Sequence, residues 1–438
     1  GRKVINNVYS AYGASYVAND VIGVAFDATN GTITFYKNGA SQGQITGIPT
    51  GVLYAPFVCS NTVVTASVFV TNFGQRAFAY TAPSGFKALC TQNLPTPTIG
   101  ATSTTQANDY FNPVVYTGTG SSLGVTGVGF QPDFVWIKGR SGATDHGLYD
   151  AVRGVQKQIE SNTITAETTE TTGLTAFNTD GFTVGALAQL NTSSATYVAW
   201  NWKANGAGST NTAGTITSTV SANTTAGFSV LTYNPGNTSG TIGHGLNVAP
   251  QFIIVRSRTN SGGDPWGVYH VSLGNTKYLR LNTTDAEATL STVWNNTSPT
   301  STVVSIGTSD IVSSADTSFI MYCFAPVAGY SAFGSYTGNG STDGPFVYLG
   351  FRPRFILLKS SSNSATDWYI WDAVRNTFNV AGDTLRPNLS NAETTGNNID
   401  ILSNGFKLRE VSASYNQSSY TYIYAAFAES PFKYSLAR

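Results

Sequence analysis

Gly129-Phe-Gln-Pro-Asp-Phe-Val-Trp-Ile-Lys138, Gly245-Leu-Asn-Val-Ala-Pro-Gln-Phe-Ile-Ile-Val-Arg256 and Gly350-Phe-Arg-Pro-Arg-Phe-Ile-Leu-Leu-Lys359 write one pattern three times. Each is a Gly, then a Pro, then an apolar strand. A second agreement follows: Leu148-Tyr-Asp-Ala-Val-Arg-Gly154 matches Ile370-Trp-Asp-Ala-Val-Arg-Asn376, with Val268-Tyr-His270 as a degenerate middle copy. A third fixes the register, an Asn followed four residues later by Ala-Glu, at Asn162/Glu167, Asn282/Glu287 and Asn388/Glu393. The Ala residues of that third motif, Ala166, Ala286 and Ala392, lie 120 and then 106 positions apart. Solenoid periods run about 20–50 residues, so the copies are read as tandem domains. Phe134, Phe252 and Phe355 are predicted to be equivalent core residues.

Strand signals dominate each copy. Tyr110 to Tyr116, Phe228 to Tyr233 and Ala332 to Tyr336 open them; Tyr197 to Trp202, Phe319 to Phe324 and Tyr422 to Phe427 close them. Gly181-Phe-Thr-Val184 and Gly405-Phe-Lys-Leu408 supply another strand just before the closing one. Helix-friendly pieces such as Ala151 to Gln158 are short. The expected fold class is all-β, with tandem β-sandwiches of about eight strands each (jelly-roll or SPRY-like) joined by Thr/Ser-rich linkers. The expected boundaries are a sandwich over 1–94, incomplete at its N-terminus, a linker over 95–107, and repeats over 108–204, 226–329 and 330–438. A low-complexity bridge, 205–225, joins the first two repeats, and the last two are expected to dock closely.

The leader carries its own signature. Asp20-Val-Ile-Gly-Val-Ala-Phe-Asp27 and Thr32-Ile-Thr-Phe-Tyr-Lys37 are strand-like, and Asn30-Gly31 and Asn38-Gly39 bracket the second of them. Asn-Gly between β-branched and aromatic runs is the strongest short hairpin signal. This stretch resembles the SPRY domain family, and Leu53-Tyr-Ala-Pro-Phe-Val58 resembles the strand that follows in it. The resemblance implies a non-catalytic β-sandwich that binds partners through its loops.

The chain has 438 residues, with 23 basic and 23 acidic side chains. Charged residues make up 11%, against roughly 25% in an average globular protein. That balance carries no footprint for nucleic acid or an anionic membrane. No apolar run approaches the ~18 residues of a membrane span. The chain opens on Gly1-Arg2-Lys3 and not on Met, from which a longer parent chain is expected. Cys59, Cys90 and Cys323 stand in apolar strand contexts without metal-ligand spacing, so neither disulfide, zinc nor cofactor is expected.

Catalytic signatures are sparse. Gly120-Ser-Ser-Leu-Gly124 spells Gly-x-Ser-x-Gly but lacks the strand-to-helix pattern of a nucleophile elbow, and no HExxH, Walker loop or dinucleotide fingerprint occurs. The three histidines, His146, His244 and His270, have no His counterpart in the sister copies. Recurrence of Asp150 with Asp372, and of Glu167 with Glu287 and Glu393, points to a shared structural duty such as pairing Arg153 and Arg375. The chain is therefore read as not an enzyme. Polar loops beside Asp145 and His146, beside Asp264 and Trp266, and beside Asp367 and Trp368 combine acceptors with an aromatic in two of three cases. Sugar sites use that combination, and these six residues are the candidate glycan- or receptor-binding set.

With its SPRY-like leader, its Thr/Ser linkers and repeats carrying GFQPDFVWIK, LYDAVRG and YVAWNWKAN, the chain resembles distal tail or fibre proteins of tailed bacteriophages, particularly marine and cyanobacterial phages. The resemblance implies a virion protein that attaches to a host cell-surface glycan or protein receptor. It also implies other tail proteins as partners and a homotrimer. The alternatives are a structural virion protein without a receptor site and, behind it, a polysaccharide depolymerase.

Overall fold

A computed structural model describes residues 1–5, 8–49, 54–58, 68–90, 93, 98–100, 105–259, 265–315 and 317–429. Strands dominate it, and the α-helices are two single turns, Ala188–Asn191 and Ser291–Trp294. The chain divides into two compact units, Gly1–Pro95 and Thr96–Arg438.

In the first unit, Ile22–Asp27, Thr32–Lys37 and Ala40–Ile45 form one antiparallel sheet. Asn38 and Gly39 both take positive φ, 49° and 82°, which a two-residue type I′ turn requires. Asp27 stabilises the other turn by accepting the backbone N–H groups of Thr29 and Asn30. A separate hairpin pairs Arg2–Ile5 with Val8–Ala11. Residues 54–58 were expected to form a strand but run as irregular chain; Leu53 and Cys59 lie outside the described residues.

In the second unit the three copies share one topology. The four-stranded sheet of the first places its strands in the order Phe111–Thr117, Thr196–Trp202, Phe134–Gly139, Gly147–Asp150. The second copy repeats that order with Phe228–Tyr233, Phe319–Phe324, Phe252–Ser257 and Gly267–His270. The third repeats it with Ser331–Thr337, Thr421–Ala428, Pro353–Ser360 and Trp368–Asp372. A smaller sheet faces each one, for example Leu123–Val125, Gly181–Val184 and Leu174–Asn178 in the first copy. Phe134 pairs with Trp202, Phe252 with Phe324 and Phe355 with Phe427, and all three Phe are buried. The predicted repeat register is thus the structural one.

The copies do not form a string. Each main sheet is covered on both faces, which is why Phe-Val-Trp-Ile is a continuous apolar run and not an alternating one. Val135 and Ile137 face the first copy's own sandwich core with Phe182 and Val184. Phe134, Trp136, Trp200 and Trp202 face the other way, into one core shared by all three copies. At its centre stand Trp202, Phe324 and Phe427, the equivalent residues of the three closing strands. Their ring centroids lie 6.1, 5.7 and 5.8 Å apart, each pair edge to face. Three near-equal separations make a pseudo-threefold axis, and edge-to-face pairs of this kind contribute about 0.5–1.5 kcal/mol each beyond burial. The second unit is a closed ring of three modules.

Three sequence expectations are corrected by this packing. Within the expected bridge 205–225, Ser209–Asn211 and Ser218–Asn223 are strands that extend the second module's sheet; Ser, Thr and Asn suit an edge that faces water. Within the expected linker 95–107, Ile99 and Ala107 are buried in the shared core. Ala151 to Gln158 is a turn followed by a short strand, not a helix.

Candidate functional site

The recurrent polar residues meet at the joints between modules. The backbone N–H groups of His146, Trp266 and Trp368 each donate to the side-chain oxygen of the module's motif Asn, Asn162, Asn282 or Asn388, at 3.0 Å in every case. Each ring then crosses to the neighbouring module. Trp266 Nε1 donates to the Glu160 carbonyl and Trp368 Nε1 to the Arg280 carbonyl, both at 2.9 Å. His146 Nε2 bonds the Arg386 carbonyl at 3.0 Å while its Nδ1 accepts the Trp136 indole N–H, so the proton sits on Nε2. Glu160, Arg280 and Arg386 each stand two residues before the motif Asn. One contact therefore closes the ring three times, the first module onto the third, the second onto the first and the third onto the second.

Other contacts follow the same cycle. The backbone N–H groups of Glu167, Glu287 and Glu393 donate to the carbonyls of Arg258, Ser361 and Arg140 across the joints. The cations that end the repeated strand motif, Lys138, Arg256 and Lys359, are buried and donate to loop carbonyls of the preceding module in the ring: Ser390, Ile164 and Thr284 respectively. Burial lowers both lysines to about 8.

Two joints carry an ionic core. Arg153 pairs with Asp150, both side chains being fully buried, and with Glu167, which also pairs with Arg258 of the second module. Arg375 pairs likewise with Asp372 and Glu393, and Glu393 reaches Arg140 of the first module. Burial alone would raise the carboxyls of Glu167 and Glu393, but their arginine partners outweigh it and hold both low. A side chain from the next module completes each carboxylate: Tyr322 donates to Asp150 and Trp200 to Asp372. These are the duties expected for Asp150, Asp372, Glu167 and Glu393.

The joint between the second and third modules lacks this ionic core. His270 replaces the Asp, Leu273 the Arg, and Ser361 the crossing Arg. The closing-strand donor position holds Ala425, so His270 Nε2 bonds the Tyr424 carbonyl at 3.1 Å instead. Anion and cation are lost together, so neither member of the pair is left buried without the other, and Glu287 turns to Lys277 of its own module.

The sequence-derived binding residues are corrected accordingly. Trp266 and Trp368 are 0% and 1% exposed and His146 is 0% exposed, so none offers a ring face to a sugar. Asp145 and Asp367 accept from Asn162 and Asn388 of their own modules, and Asp367 also pairs with Arg386. Asp264 lies outside the described residues. The crossing residues Arg140, Arg256, Arg258 and Lys359 were not singled out from sequence, although their recurrence behind the Gly-Pro motif signals them. Apolar side chains that do meet solvent in the third module include Phe346, Tyr348 and Phe378.

Residues 1–76 match the SPRY domain model. A second family model, described as a domain of unknown function, matches residues 106–431 in a single stretch through all three modules. What that family holds in common is therefore the ring and not one repeat, and the chain belongs to the DUF7483 family.

Proposed function

We propose that the chain is a non-enzymatic attachment protein of a bacteriophage virion, a tail-fibre or receptor-binding component that engages a host cell-surface glycan or protein and docks on other tail proteins. One observation carries this reading: the polar and titratable groups that recur among the modules are consumed in the joints, which leaves a rigid scaffold whose free chemistry is confined to surface loops. Scaffold-borne loops suit recognition. The likeness of the repeat motifs to phage tail proteins supports the virion setting.

A homotrimer was expected from that likeness. The ring meets within one chain the threefold contacts that separate copies would otherwise supply, so the joints alone do not call for it. Light scattering decides between a mass of 46.2 kDa for one chain and three times that value. The location is tested by gold-labelled antibody against the chain on virions that carry it, viewed by electron microscopy. Label at the distal tail supports the proposal. Label on the capsid or tail connector favours the purely structural alternative, and unlabelled virions overturn both.

A further inference from the structure

The third module breaks the pseudo-symmetry at one surface loop. In each module a strand residue bonds its counterpart across a turn: Leu148 with Ile159, Val268 with Leu279, and Ile370 with Leu385. The separations are 11, 11 and 15 residues, so the third module holds four extra residues here. They build a surface cleft of about 420 Å³ lined by Asn376, Thr377, Phe378, Val380, Asp383 and Thr395 among others. That volume is toward the lower end of small-molecule sites, which span ~300–1,000 Å³.

The loop is held at both shoulders. Asn376 Oδ1 accepts the N–H groups of Gly382 and Asp383, and its Nδ2 donates to the Asp383 carbonyl. Asn379 exchanges two hydrogen bonds with the backbone of Ile401. Between these clamps Phe378 stands 84% exposed, held out at the rim with nothing to cover it. On the cleft wall, Asp383 Oδ1 accepts the Thr395 hydroxyl at 2.8 Å, while its Oδ2 takes no partner among the described residues. An exposed aromatic, a free carboxylate oxygen and a threonine hydroxyl around one mostly polar cleft suit a pyranose: C–H groups on one face for the ring, hydroxyls at the edge for the oxygens. Because the loop is already pinned, little ordering cost remains on binding.

We infer that the cleft formed by Phe378, Asp383 and Thr395 is a saccharide-binding site for a short oligosaccharide. This deepens the attachment reading, on which the choice of bacterial surface sugars as probes rests. The test applies the full chain, Phe378→Ala, Asp383→Asn and a control variant, Phe346→Ala, to a microarray of lipopolysaccharide- and capsule-derived oligosaccharides, and titrates any sugar bound. Phe378 and Asp383 lie outside the ring joints, so all variants are expected to melt with the wild type. The inference requires at least a tenfold loss of affinity for Phe378→Ala and for Asp383→Asn, with Phe346→Ala unchanged. It is overturned if no oligosaccharide binds the wild type, or if binding survives both cleft variants. Tail label on virions without sugar binding sinks this inference alone; sugar binding with capsid label sinks the tail location and leaves the cleft standing.

Discussion

Arg375→Leu is the sharpest probe of the ring, because it places in the joint between the third and first modules the side chain that the second module carries at Leu273. Arg375 is buried and bonds Asp372, Glu393 and the Ile370 carbonyl at 2.7, 2.8 and 3.0 Å. Without it, Asp372 keeps donors from Val374, from its own turn and from Trp200, but its buried charge has no cation. Removing one partner of a buried ion pair costs about 3–5 kcal/mol. Domains of 150–250 residues lose about 2–4 °C of melting temperature per kcal/mol, and larger units less, so a fall of roughly 5–10 °C is expected by differential scanning calorimetry. Adding Asp372→Asn should recover part of that loss, since the remaining defect is a mismatched neutral amide of about 1–3 kcal/mol. A single variant that melts within 1 °C of the wild type, or a double variant that melts below the single one, would falsify the claim that this joint depends on charge pairing.

Other perturbations separate the joints from the surface. Trp368→Ala should lower stability by about 3–5 kcal/mol, whereas Trp368→Phe should cost less, chiefly the bond to the Arg280 carbonyl; equal losses in urea titrations would show that this bond contributes nothing. Leu273→Arg should destabilise this joint, because a buried guanidinium there would face His270 in place of the Asp, and the motif carboxylate, Glu287, is already paired with Lys277; an unchanged melting temperature would argue against the burial of that position. The two joint histidines set an acid limit. Burial lowers His270 to about 4 and, with help from nearby Lys138, His146 to about 3, whereas an unfolded His titrates near 6.5. Between those values the unfolded chain binds more protons, so stability is full above about pH 6.5 and declines as pH falls toward 4 and then 3. For His270 alone the loss is on the order of 3 kcal/mol; His270→Gln should flatten part of the pH dependence, and an unaltered profile would refute the assignment.

Much of the fold was legible because each repeat must build its own sandwich from its own segment. The Gly-Pro strand motif, the closing aromatic strands and the equivalence of Phe134, Phe252 and Phe355 all follow from local pattern. Ring closure was not legible, since it depends on which residues meet across modules, and a Trp beside Asp on a polar loop reads the same whether its ring stacks on a sugar or its N–H satisfies a neighbour's carbonyl. Trp266 and Trp368 do the second. The continuous apolar runs held a clue, because a sandwich with one face in water would alternate, and Phe-Val-Trp-Ile does not. Phe378 is illegible for a different reason: it lies in the extra residues of the third module and has no counterpart in the other two.

That contrast decides where recognition is to be sought. In a ring of three like modules, a residue present in every copy has a ready explanation in the axis or a joint, and the structure supplies it for the Asn, the Glu, the strand cation and the closing aromatic. A departure has no such explanation unless its neighbours change with it. His270 and Leu273 of the second module and Ser361 of the third depart together and leave their joint without the buried ion pair, which is a packing solution complete in itself. The four-residue excess in the third module has no compensating change in a neighbouring module: its asparagines serve only to hold the loop, and the loop serves only to hold Phe378 over a polar cleft. An exposed aromatic on a loop fixed by five side-chain bonds to the backbone is costly to build and gives nothing back to the fold, so its return must come from a ligand. Shortening the loop to the length of the first module's turn, by deleting Thr377 to Val380, should therefore leave the melting temperature within a few degrees of the wild type while removing all oligosaccharide binding. Collapse of the ring on deletion would show instead that the third module needs its extra residues to fold.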